Sequence, residues 1–287
     1  MKYGRRVIGA ALVALASMVG VGVADAKTGL QLSTGVNYSS GKFGGATRTD
    51  VVVVPFSAKV TIGDWAFRGS IPLVSVDGPA DVAVVLDDSG GGRGSSGPGG
   101  SGRDGAEDDG TGAVSSVVRN KRESGLGDAS LSATYSFNDI AGSPLYSDVT
   151  ARVRLPTGDD DNGLGAGATD YGLLAEVGAE LGKGGVYVLG GRRFLGSVSG
   201  VQREDGWQGG AGFWIDATDK TSFGAGYDWR ESATAAGDDP SEVSAYVTYQ
   251  VTEKWRLGVN ASAGLNNASP DFGVGLSLVW RAQERRN

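Results

Sequence analysis

About twelve stretches of this chain, each of roughly ten residues, alternate apolar and polar side chains, and nothing else in the sequence limits the fold as tightly. A period of two belongs to a strand with one apolar and one polar face. In 148–155, Val149, Ala151, Val153 and Leu155 alternate with Asp148, Thr150, Arg152 and Arg154. In 171–181, Tyr171, Leu173, Ala175, Val177, Ala179 and Leu181 oppose Glu176, Glu180 and the glycines at 172 and 178, with Gly182 next in the same parity. The same rhythm predicts strands over 29–40, 52–62, 65–73, 129–137, 186–195, 206–216, 221–231, 242–251, 255–265 and 272–280. Only 186–195 resists a facing assignment, because Arg192 and Arg193 are adjacent.

The connections sort by length. Gly63-Asp64, 138–144, 182–185, 217–220 and 252–254 are short, and between them fall longer loops at 40–49, 77–124, 156–169, 196–205, 232–241 and 266–271. Strands of about ten residues in even number, with short turns at one end and long loops at the other, define a transmembrane antiparallel up-and-down β-barrel with periplasmic turns and extracellular loops. Trp65, Tyr135, Phe137, Phe223, Trp255 and Trp280 all stand next to the short-turn end, where an interfacial aromatic girdle belongs. A soluble β-sandwich would need polar residues on the face that these strands make apolar.

Lys2, Arg5 and Arg6 precede an apolar run, 7–23, and Ala24-Asp25-Ala26 follows, as in a secretory signal peptide over 1–26. The run is short for a membrane anchor. The mature chain is then 27–287, bound for the bacterial outer membrane of a Gram-negative cell. Without Lys2, Arg5, Arg6 and Asp25 the formal charge of −7 becomes −9, so nucleic acid is an unsuitable partner. The expected partners are outer-membrane lipid and lipopolysaccharide, the barrel-assembly machinery and small-molecule solutes. The segment 77–124 interrupts the rhythm, and its Gly/Ser/Asp-rich centre holds nothing to bury, so it reads as a structureless loop inserted in one sheet rather than a domain linker.

Histidine and cysteine are absent. Ser-His and Cys-His nucleophiles and the usual zinc ligands are therefore excluded, and neither enzyme activity nor a cofactor is expected. Asp159, Asp160 and Asp161 before Asn162-Gly163 lack the alternate spacing of a calcium loop, and the glycines at 163, 165 and 167 have no following helix to cradle phosphate. The informative charges are those on the polar parity: Lys59, Arg68, Asp128, Arg152, Arg154, Glu176, Glu180, Asp228, Arg230, Glu242 and Arg256. On the lipid face each would cost about 2 to 4 kcal/mol at the midplane, so they point inward, as a pore lining or as an ion-pair ladder filling the lumen. Matched parity across the 148–181 hairpin places Arg152 near Leu174 and diagonal to Glu176. Arg152 and Arg154, with Arg192 or Arg193, would then form a basic strip that draws anions.

GLGDASLSATYSF at 125–137 and RLPTGDDDNGLGAGATDYG at 154–172 resemble the outer-membrane family known as the MetA pathway of phenol degradation, a group of transporter-like barrels. The resemblance covers mainly 125–280 and implies a barrel for passive uptake of small aromatic, hydrophobic or anionic solutes. It carries no defined site residues. The alternative is a structural or surface-adhesion barrel with a plugged lumen.

Overall fold

The computed structural model describes residues 28–45, 48–78, 85–88, 109–112, 122–160, 162–199, 202–234 and 237–282. The expected leader and most of the Gly/Ser-rich insertion lie outside these. In chain order the strands are β1 (Thr28–Gly41), β2 (Thr49–Ile62), β3 (Trp65–Asp77), β4 (Val85–Asp88), β5 (Asp109–Gly112), β6 (Glu123–Leu126), β7 (Ala129–Phe137) and β8 (Leu145–Leu155). β9 (Asp170–Glu180), β10 (Gly184–Phe194), β11 (Gly206–Thr218), β12 (Thr221–Arg230), β13 (Ser241–Gln250), β14 (Trp255–Gly264) and β15 (Pro270–Arg281) complete them. Each barrel strand pairs antiparallel with its sequence neighbour, and β15 pairs with β1 to close the ring. β6 and β7 follow each other along β3, so the barrel has twelve staves. Closure leaves no exposed sheet edge, the condition a bilayer imposes on β structure.

The alternation that predicted the strands also sets their facing. Leu32, Val36, Phe56, Leu73, Val149, Leu173, Val177, Val188, Val259 and Leu276 are exposed on the outer wall, while residues of the other parity are buried or half-buried. Short and long connections alternate as expected. Gly63, at φ 59°, makes the tight turn between β2 and β3 in a conformation that costs a glycine little.

Both girdles are present. At the short-turn end Trp65 stacks on Phe67 (5.8 Å) and meets Tyr135 edge-on (4.9 Å), and Tyr135 meets Phe137 (4.8 Å). A second girdle at the long-loop end includes Tyr38 beside Phe272 (5.8 Å), Tyr171, Phe194 and Trp207. Phe272 and Trp280 stand eight residues apart on β15. That is about 27 Å of strand, which a tilt reduces to nearly the height of the apolar band.

Three places depart from the simple pattern. β4 and β5 pair as a separate two-stranded hairpin within the insertion expected to lack structure. β7 has a continuation, β6, on the far side of a break at Gly127-Asp128. Opposite that break Pro72 faces Pro55 across the β2–β3 ladder. Neither proline has an N–H, and the β1–β2 and β3–β7 ladders both skip a step beside them.

Candidate functional site

The inner wall is built in rows. Residues directly opposite one another on successive strands share a level and a face, so each row winds around the lumen at the inclination set by strand tilt. In this barrel several rows each carry one kind of chemistry.

One row is cationic. From the long-loop end of β10 it runs Arg193, Gly172, Arg152, Ser132, Arg68, Lys59, Gln31 and, at the short-turn end of β15, Arg281. The next inward row toward the long loops is Arg154, Ser130, Ser70, Ser57 and Ser33. Its hydroxyls meet in pairs, Ser33 with Ser57 at 2.6 Å and Ser70 with Ser130 at 3.0 Å. An acidic row lies two inward positions below the cationic one on β8 and β9. It runs Asp148, Glu176, Leu189, Gly210, Asp228 and Glu242.

The two charged rows differ in access. Asp148 (3%), Glu176 (1%) and Glu242 (5%) are buried and Asp228 is half-buried, and the Tyr146 hydroxyl donates to Glu176 Oε1 at 2.9 Å. Lys59, Arg68, Arg152 and Arg281 are half-buried, with only Arg193 fully covered. Between these two rows, a solute therefore meets four half-buried cations and one half-buried acid.

Beside the acids stands an aromatic cluster of Tyr146, Tyr187, Trp214 and Tyr246, all inward and buried. Glycines make room for it. A Cβ at Gly178 would overlap the Tyr146 ring, and one at Gly185 would overlap Trp214. The arc formed by β1, β2, β3 and β7 instead carries serines on its inner face, at 33, 57, 70, 130 and 132.

The mouth is narrowed by inward-folded loops. Phe43 and Leu164 pack with Val51, Val53, Val74 and Val76 in a buried apolar cluster. Asp128 anchors the 156–169 loop by accepting the Gly158 (2.9 Å) and Ala166 (2.7 Å) N–H groups. Arg154 lies 3.9 Å from Asp128 and also bonds Asp170. Asp170 accepts from Arg203 at 2.7 and 2.9 Å and from the Gly196 N–H at 2.8 Å, which fastens the 195–205 loop. At the proline break a cavity of about 670 Å³ is lined both by outward Leu32, Phe56, Ile71, Leu131, Trp255 and Trp280 and by the inward serines 33, 57, 70 and 130.

Of the residues singled out from sequence, ten lie on inward strand positions and Asp128 lies in the β6–β7 break. Lys59, Arg68 and Arg152 fall in the cationic row; Glu176, Asp228 and Glu242 in the acidic one; Arg154 and Asp128 in the mouth network. Arg256 is 4% exposed and donates through Nε to Gln250 at 3.1 Å; Glu180 and Arg230 are the last residues of β9 and β12, at opposite ends of the barrel.

The expected hairpin register was off by two residues. Arg152 faces Gly172, not Leu174, and Glu176 faces Asp148, because the strands begin pairing at Arg154 and Asp170. The proposed basic strip is corrected accordingly. Arg154 is tied to two carboxylates, and Arg192 points outward, its guanidinium 5.0 Å from the Trp207 ring, so only Arg152 and Arg193 of that strip belong to the cationic row. Asp170 and Arg203 were missed because Arg203 lies on a loop with no periodic signal and Asp170 just before the stretch read as a strand. Arg281 was missed because it was read as following the last strand.

The fold and its sorted lumen define an outer-membrane-type β-barrel. No family's sequence model and no curated protein matches the chain. Among solved structures it is similar to the COG4313 outer membrane channel from Pseudomonas putida F1, with TM-score 0.59, 16% identity, and 91% of this chain and 97% of that chain covered. The NanC porin (TM-score 0.51, 7% identity, 87% and 98% covered) and the KdgM porin (0.50, 7%, 87% and 98%) share the same architecture.

Proposed function

We propose that this protein is an outer-membrane channel through which small anionic solutes pass passively. The observation that carries the reading is the unequal access of the two charged rows: Lys59, Arg68, Arg152 and Arg281 are half-buried along the cationic row, whereas of the four acids in the acidic row only Asp228 is, and Asp148, Glu176 and Glu242 are buried. A field of this kind spans much of a narrow pore, because screening at physiological salt extends over about 8 Å. The architecture shared with channels and porins supports the reading. The resemblance to the phenol-degradation barrels adds aromatic acids to the candidates.

The second reading, a structural or adhesive barrel with a plugged lumen, is favoured by one feature, the apolar cluster that Phe43 and Leu164 form inside the mouth. Liposome swelling separates the two. Entry of small sugar acids faster than neutral sugars of equal size supports the channel; no swelling in any solute supports the plug.

A further inference from the structure

We propose that the inner face of β13, β14, β15 and β1 is a binding lane for small uncharged polyols, with Asn37 and Asn260, on either side of Gly275, as its contact point. The lane rests on the open lumen of the channel reading, not on its preference for anions, and adds a second class of solute.

The first argument is where charge is missing. The charged residues of these four strands are Glu242, Arg256, Asp271 and Arg281, and each is the second or the last residue of its strand. β2, β3, β8, β9 and β12 instead carry Lys59, Arg68, Arg152, Glu176 and Asp228 further from their ends. Between the end charges of the lane the inward rows are neutral. Ser39, Gly273, Ser262 and Ser244 stand opposite one another at one level, and Asn37, Gly275 and Asn260 at the next. Gly35, Ser277 and Gly258 form the level below. Three strand-to-strand steps make this surface about 14 Å across. It offers an ion no opposite charge and offers a neutral, hydroxylated solute a continuous set of hydrogen-bonding groups.

The second argument is how those groups are held. A Cβ at Gly275 would overlap the amide oxygens of both Asn37 and Asn260, one at Gly273 the Ser262 hydroxyl, and one at Gly258 the Ser277 hydroxyl. The polar groups thus lie along the wall over a glycine floor. Asn37, Ser39, Ser244, Asn260 and Ser262 are half-buried, so the lumen reaches them. Among the described residues neither Asn37 Oδ1 nor Asn260 Oδ1 has a hydrogen-bond partner, although both atoms are buried. Buried amide oxygens are normally paired. Turning one amide over lets it donate to the other across Gly275, and the pair then keeps a carbonyl from one residue and an N–H from the other for a partner in the lumen. Two vicinal hydroxyls, each donor and acceptor at once, fit that pair. A carboxylate, which only accepts, fits half of it.

The test follows labelled sorbitol into liposomes that hold the full-length protein. The expected result is saturable entry, lowered on the order of fivefold by excess unlabelled mannitol and unchanged by glycine betaine, which has no net charge and no hydroxyl. Asn37→Leu together with Asn260→Leu should leave only entry that neither saturates nor responds to mannitol, in a barrel that still shifts on heating. Gly275→Ala, which crowds both amides without removing them, should do the same. Arg192→Gln, on the outer wall, should behave as the parent. Sorbitol entry that mannitol does not lower, or Asn37/Asn260 and Gly275 variants in which mannitol still competes, would overturn the lane while leaving the channel. Entry of no solute at all would overturn both.

Discussion

Arg154 and Asp128 decide how the mouth of the barrel is closed. The Arg154 and Asp128 side chains are 11% and 7% exposed, and removing one partner of so covered a pair costs about 3 to 5 kcal/mol. We predict that Arg154→Ser loosens the 156–169 and 195–205 loops but not the barrel, so protease cleavage within 156–169 rises while heat modifiability persists; unchanged cleavage would mean the loops are held by other contacts. Gly178 tests the aromatic cluster. Gly178→Ala should destabilise by about 1 to 3 kcal/mol through overlap with Tyr146, and the same change should cost much less in a Tyr146→Ala background. Additive effects in thermal unfolding would show that the ring does not fill that space.

At the scale of elements, the strands and their facing were legible because a bilayer outside and water inside impose opposite chemistry on alternate residues. Rows were not. Parity says which residues point inward but not which stand opposite one another, and a slip of two residues preserves parity while exchanging every neighbour. The 148–181 hairpin is the example: folding of its loop into the mouth brings Arg154 opposite Asp170, and Glu176 then meets Asp148. β10 shows the converse limit. Arg192 and Arg193 looked equivalent, and only the ring of Trp207 on the next strand explains why one of them is tolerated at the outer interface. Among the described residues of the insertion between β3 and β6, β4 pairs with β5 and with no barrel strand. Deleting 89–112 should therefore leave membrane insertion and heat modifiability intact, loop length costing little entropy. Failure to assemble would show that the hairpin packs on the barrel.

For the whole molecule, charge is distributed against its sum. The chain is acidic, at −7, yet the cationic row keeps four half-buried charges while Asp148, Glu176 and Glu242 of the acidic row are buried. Surface acidity cannot produce this arrangement; it follows from which rows the register assembles. Ion selectivity is the property that reads it out. The most direct test is the reversal potential of the reconstituted full-length protein in a planar bilayer under a potassium chloride gradient. The account predicts a stable conductance with preference for chloride, reduced toward neutrality when Lys59 and Arg68 are replaced by Gln. A closed barrel, or one that prefers potassium, would contradict it.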